Sequence, residues 1–93
     1  MNKTEQKFLT LVRSNKMRSF YAAHRVLDEI RTDALFSATS ELLSRARYLF
    51  ITDTIDKADD ANQFAAQIIS VLRSRNQDVT TLTAKLDENI KMY

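Results

Sequence analysis

Side chains able to make or break bonds are few and scattered in this sequence. His24 is the single histidine, and Asp28 follows it by four residues, a spacing that places both on one face of a helix. That spacing predicts an ion pair on a solvated surface, not a general base held by an orienting acid. There is no cysteine, which excludes a thiol nucleophile, a zinc knuckle and a disulfide framework. None of Ser14, Ser19, Ser37, Ser40, Ser44, Ser70 and Ser74 sits in the glycine-flanked elbow that exposes a nucleophilic serine. Carboxylates gather once, at Asp53, Asp56, Asp59 and Asp60. Oxygens at such spacing can hold a divalent cation, but Ile55 stands where an EF-hand ligand belongs and the invariant glycine is missing. The expected role is a solvated acidic connection that favours the start of the following helix through its dipole. No catalytic residue, metal site, cofactor or small-molecule substrate is therefore expected, and the chain reads as a non-enzyme.

Cations carry the more informative pattern. Net charge is +2, with a pI near 9.1, and it is unevenly spread. Residues 1–27 hold Lys3, Lys7, Arg13, Lys16, Arg18 and Arg25 against Glu5 alone, a balance of +5. Residues 51–93 hold five basic and seven acidic residues, a balance of −2. On one continuous helix Lys3, Lys7, Arg18, Tyr21 and Arg25 would share an arc of about 60° opposite the apolar face. Such a stripe suits a nucleic-acid backbone, because cations neutralise phosphates and a tyrosine stacks on an unpaired base. Asp28 and Glu29 offset part of it, and a solvated surface is the plainer reading. Arg45, Arg47, Arg73 and Arg75 are candidates to extend the patch.

The elements that must position these residues are helices. The chain lacks both glycine and proline, the two worst helix formers and the residues on which tight hairpin turns depend. The missing glycine also excludes the P-loop and the dinucleotide fingerprint. Apolar residues recur at helical spacing in four segments. From about Thr4 to Arg31 the apolar arc holds Phe8, Leu9, Val12, Phe20, Ala23, Val26, Leu27 and Ile30, with Asn2 and Glu5 spaced as a capping box. Asn15, Lys16 and Ser19 intrude on that arc, so the segment is either one helix with a snorkelling lysine or two helices broken near Ser14–Met17. The second segment, capped by Asp33, runs to about Ile51 with an unusually wide apolar arc. Asp53 would fall in the middle of that arc.

The third segment follows Asp59 and Asp60, with Asp60 and Gln63 as a second capping box, and ends near Ser74 with Asn76 as a left-handed terminator. The fourth, capped by Asp78, places Val79, Leu82, Leu86, Ile90 and Tyr93 on a narrow stripe. The expected architecture is all-α: a single domain over residues 1–93, folded as a small antiparallel bundle of four or five helices with short connections free of Gly and Pro. Its folded surface should be roughly 5,500 Å².

No window approaches the run of about 18 apolar residues that spans a bilayer, and no secretory signal is visible, so no membrane role and a cytoplasmic location are expected. Phe36, Leu43, Phe50 and Ile51 lie at the edge of the wide second arc or beyond it, and form the candidate protein interface. Burial inside one chain is the simpler reading for them. The leading functional expectation is a regulatory module that binds a protein partner, such as an inhibitor, adaptor or antitoxin-like subunit, with self-association open to it. The alternative is a nucleic-acid-binding regulator, of RNA or DNA, using the basic stripe.

Overall fold

The computed structural model describes residues 2–52 and 55–92, and it is all-helical there. Five α-helices run in the order α1 (Lys3–Ser14), α2 (Met17–His24), α3 (Thr32–Thr52), α4 (Ile55–Ser74) and α5 (Thr80–Lys91), with a 3₁₀ turn at Leu27–Glu29 between α2 and α3. Asn2 starts α1 by accepting a hydrogen bond on Oδ1 from the Glu5 amide at 2.8 Å. The first segment breaks where polar residues interrupt its apolar arc. Asn15 turns left-handed at φ 54°, and Lys16 is extended. The chain then folds back, so that Phe20 and Ala23 of α2 join Phe8 and Val12 of α1 in one core. At eight residues α2 is too short to persist alone, and packing holds it. Phe20 stacks on Phe64 of α4, with ring centroids 4.9 Å apart.

Helices α3 and α4 form the largest helix pair. Their short connection makes them antiparallel. The wide apolar arc of α3 buries Leu35, Ala38, Leu42, Leu43 and Ala46, with Thr39 satisfied by its hydroxyl bond to the Leu35 carbonyl. Asp33 lies in the first turn of α3 instead of capping it, since Leu35 N–H already bonds to Arg31 O. Helix α4 begins earlier than expected, so Asp56, Asp59 and Asp60 sit inside its first two turns and not in a connection. Asp59 accepts from Gln63 Nε2 within the helix. Asp53 and Tyr93 lie outside the described residues.

The end of α4 follows expectation. Asn76 is left-handed at φ 61°, with Asn76 N–H bonded to Arg73 O and Gln77 N–H to Leu72 O. This is a Schellman closure with asparagine in the place glycine usually takes. Asp78 Oδ1 then accepts from the amide and hydroxyl of Thr80, which holds the Asp78 carboxyl below its ordinary pKa. The narrow stripe of α5 departs from expectation at its end. Leu82 is buried and Leu86 packs on the core, but Asn89 is buried and Ile90 is exposed. Asn89 Nδ2 donates to Leu43 O and to Asn62 Oδ1, so a polar lock ends the seam where a hydrophobic residue was expected.

Candidate functional site

The break in the first segment splits the predicted stripe and rebuilds part of it across two helices. Thr4, Lys7 and Leu11 lie three and four residues apart and present one face of α1. Ala22 of α2, Arg25 and Val26 in the turn after it, and Glu29 of the 3₁₀ turn face them. Between them runs an open groove of about 370 Å³. Its apolar lining is half-buried Leu11 and Val26 with exposed Ala22, and its charged lining is Lys7, Arg25 and Glu29, all exposed. The outer face of α2 continues it, with Arg18, Tyr21, Ala22 and Arg25 lining one further recess. Tyr21 is 66% exposed. Four of the five predicted residues, Lys7, Arg18, Tyr21 and Arg25, are thus brought together. Lys3 stands at the first turn of α1, one turn before Lys7, and lines neither recess.

Ion pairing separates these cations from the others. The side chains of Lys3, Lys7, Lys16, Arg18 and Arg25 have no ion-pair or hydrogen-bond partner among the described residues. Arg13 is different: its guanidinium grips both oxygens of Glu41 and ties α1 to α3.

The candidate extension of the patch does not form. Arg45 donates to Val12 O at 3.0 Å, closing the end of α1. Arg47 pairs with Glu88 of α5. Arg75 donates to the carbonyls of Leu27, Asp28 and Ile30 and to Thr32 Oγ1, clamping the 3₁₀ turn to the end of α4. Arg73 alone of the four keeps its side chain unpartnered among the described residues. Sequence spacing holds no signal for the Arg45 and Arg75 contacts, which join residues 33 to 48 positions apart.

The expected pair between His24 and Asp28 is not among the ion pairs of the described residues, because α2 ends at His24 and Asp28 lies in the 3₁₀ turn. Glu5, read as a capping residue, is buried, and its Oε1 has no hydrogen-bond partner. It sits in the first turn of α1, where the helix dipole favours a negative charge. Asp60 of α4 faces α2 in a shallow recess with Met17, Phe20, Tyr21 and Gln63. Burial first, then the charges of Asp59 and Asp56, push its carboxyl above the ordinary value.

The interface candidates on α3 separate. Leu43 is 2% exposed, covered where Asn89 bonds to its carbonyl, and so offers no surface to a partner. Phe36 packs against the core, and Phe50 is half-buried. Ile51 is 74% exposed at the end of α3. Among the described residues no helix is long and apolar enough to cross a membrane. No family model matches the chain, and no curated protein or solved structure matches it significantly.

Proposed function

We propose that this protein is a small non-enzymatic regulatory module that binds a protein partner through the groove between α1 and α2. The observation that carries the reading is that Lys7 and Arg25, without ion pairs among the described residues, flank the apolar lining of Leu11, Ala22 and Val26, with Arg18 likewise unpaired in the adjoining recess. An apolar lining flanked by charges suits an amphipathic segment laid along it, whose apolar side enters and whose carboxylates meet the cations. A bare phosphate backbone would leave that lining uncovered. Glu29 in the charged lining would oppose a phosphate, while a folded segment can place an amide or a cation against it. Arg18 and Arg25 are seven residues apart, about 10.5 Å along the chain axis, and acidic residues two turns apart on a bound helix have the same spacing.

One observation favours a second reading. Tyr21 is exposed between Arg18 and Arg25, the arrangement on which an unpaired base stacks while its phosphates are neutralised. The two readings part in a titration. A fluorescent amphipathic helix with leucines on one face and glutamates beside them is compared with a labelled oligothymidylate. Binding of the peptide that weakens at least tenfold in Lys7→Glu/Arg25→Glu is the expected result. Equal peptide affinity for that variant overturns the groove reading. Oligothymidylate binding tighter than the peptide, with a steep salt slope that Arg18→Ala/Arg25→Ala flattens, puts the nucleic-acid reading first.

A further inference from the structure

The recess between α2 and α4 has the opposite chemistry to the groove. Helix α2 brings Phe20 and Tyr21 to it, and α4 brings Asp60, Gln63, Phe64 and Gln67. The α4 residues follow one another at three, four and seven positions, which is one helix face. Phe20 and Phe64, buried and stacked on each other, are its interior part. Tyr21, Gln63 and Gln67 are exposed and Asp60 is half-buried, so they stand nearer its mouth.

Acceptor oxygens dominate the polar lining, and no Lys, Arg or His is among it. Asp60 has no ion pair among the described residues. The neighbouring charges that act on its carboxyl, Asp59 and Asp56, push it in the same direction as burial does. Lys16 and Arg18 flank Met17 in sequence, yet neither lines the recess. Gln63 spends its Nε2 on Asp59 at 2.7 Å and keeps its carbonyl oxygen as an acceptor. The Gln67 carboxamide and the Tyr21 hydroxyl supply further acceptors. Carboxylate and carbonyl oxygens beside aromatic rings favour a positive charge over an anion.

Size narrows the ligand. The recess holds about 80 Å³. A water takes roughly 30 Å³ in the liquid, so the space suits two or three waters, or an ammonium with its nearest methylenes. Pockets that bury a whole small molecule run from roughly 300 to 1,000 Å³. The occupant is therefore the tip of a longer chain. A lysine ammonium is compact and carries three donors, where a guanidinium is a planar fork. We propose that the recess between α2 and α4 receives the ammonium head of a lysine side chain from a protein partner, held by Asp60 beside Tyr21. Tyr21 also lines the recess of Arg18 and Arg25, so a chain that places its lysine here continues onto that face. The rest of that partner's position rests on the groove reading. Its contact segment then carries both signs, with carboxylates for the cations and one lysine for Asp60.

Two titrations test this. In the first, the intact isotope-labelled chain is followed by NMR as N-acetyl-lysine methylamide is added. Saturable shifts are expected at the amides of Tyr21, Asp60, Gln63 and Gln67, with binding about fivefold tighter than for the norleucine derivative of equal length. Asp60→Asn should weaken lysine binding about fivefold. Its melting temperature should not fall, so unfolding cannot account for the loss. Tyr21→Leu keeps apolar bulk without the ring and should weaken binding about threefold. In the second titration, the acidic peptide described above carries a single lysine at each position in turn, compared with norleucine there. At one position lysine should bind about tenfold tighter, and Asp60→Asn should erase the difference.

Equal shifts from the norleucine derivative overturn the proposal, as does the absence of any shift. So do lysine shifts spread evenly over other exposed carboxylates such as Asp28 and Asp87, or lysine binding that Asp60→Asn leaves unchanged. Peptides that bind through the groove yet never favour lysine also overturn it. Failure of the groove reading gives a different result. The acidic peptides then bind no form of the chain, while the lysine derivative still shifts the recess and sustains its assignment.

Discussion

The cations divide at the scale of single residues into those bonded within the fold and those left to solvent. Arg45, Arg47 and Arg75 serve the fold, and a guanidinium can satisfy several carbonyls at once, as Arg75 does for Leu27, Asp28 and Ile30. The cations before position 27, Arg13 excepted, are left to solvent. Sequence marked where charge was concentrated, but it could not say which cations were spent internally, because those bonds span tens of residues. Asp60 makes the opposite kind of contribution. Its carboxyl is pushed up by burial and by Asp59 and Asp56, so the folded chain holds that proton more tightly than the unfolded chain does. Asp60 therefore costs stability at neutral pH, and the cost fades as pH falls through the raised folded value toward the ordinary carboxylate range. Asp60→Asn should raise Tm at pH 7 by at most about a degree or two, because solvent screens a partly exposed carboxylate, and give no gain near pH ~3. Thermal melts at the two pH values check it, and a gain that is equal at both would assign the effect to shape and not charge.

Element boundaries were legible where side-chain chemistry dictates them. Asn2 and Asn76 stand at the ends assigned to them, because a capping oxygen and a left-handed terminator are local requirements. The break at Asn15 was one of two open readings, and the structure selects it because a fold-back buries both apolar faces without burying Lys16. Helix α5 was misread at its last turn. A stripe drawn by hydrophobicity favours Ile90, but the seam turns to Asn89, whose amide finds two buried acceptors in Leu43 and Asn62. Replacing Asn89 by Ala should cost about 1–3 kcal/mol, because it removes two buried hydrogen bonds at once and leaves a gap at the seam. Replacing Asn62 and Asn89 together by Leu should cost less, since the side-chain pair leaves as a unit and apolar volume fills its place. Urea titration of the three chains gives the comparison. A double variant as unstable as Asn89→Ala would mean that packing, not hydrogen bonding, sets the cost.

Size arithmetic held at the scale of the whole molecule. The surface is 5791 Å², close to the value expected from mass alone, and the radius of gyration is 12.4 Å. The shortest extent is 17 Å, less than two helix diameters of about 10–12 Å, so the helices share a single interior layer. All-α architecture was legible because missing glycine and proline, and a spacing near 3.6, point the same way. The groove was only partly legible. It depends on a fold-back that no periodicity of one helix contains. The Arg75 clamp also bears on how the chain reaches this state. Loop-closure entropy is smallest where α3 and α4 adjoin in sequence, so their pairing is expected to start at that corner, whereas Arg75 joins the opposite end, beside Ile30 and Thr32. Pairing that zips from the corner reaches that end last. The clamp then belongs to the native state and not to the folding transition state. Arg75→Ala should speed unfolding about tenfold while leaving the refolding rate nearly unchanged. Stopped-flow kinetics in denaturant would read both rates, and a refolding limb slowed by the same factor would place the clamp in the nucleus. On this account Arg75 sets how long the folded chain lasts, and the corner sets how fast it forms.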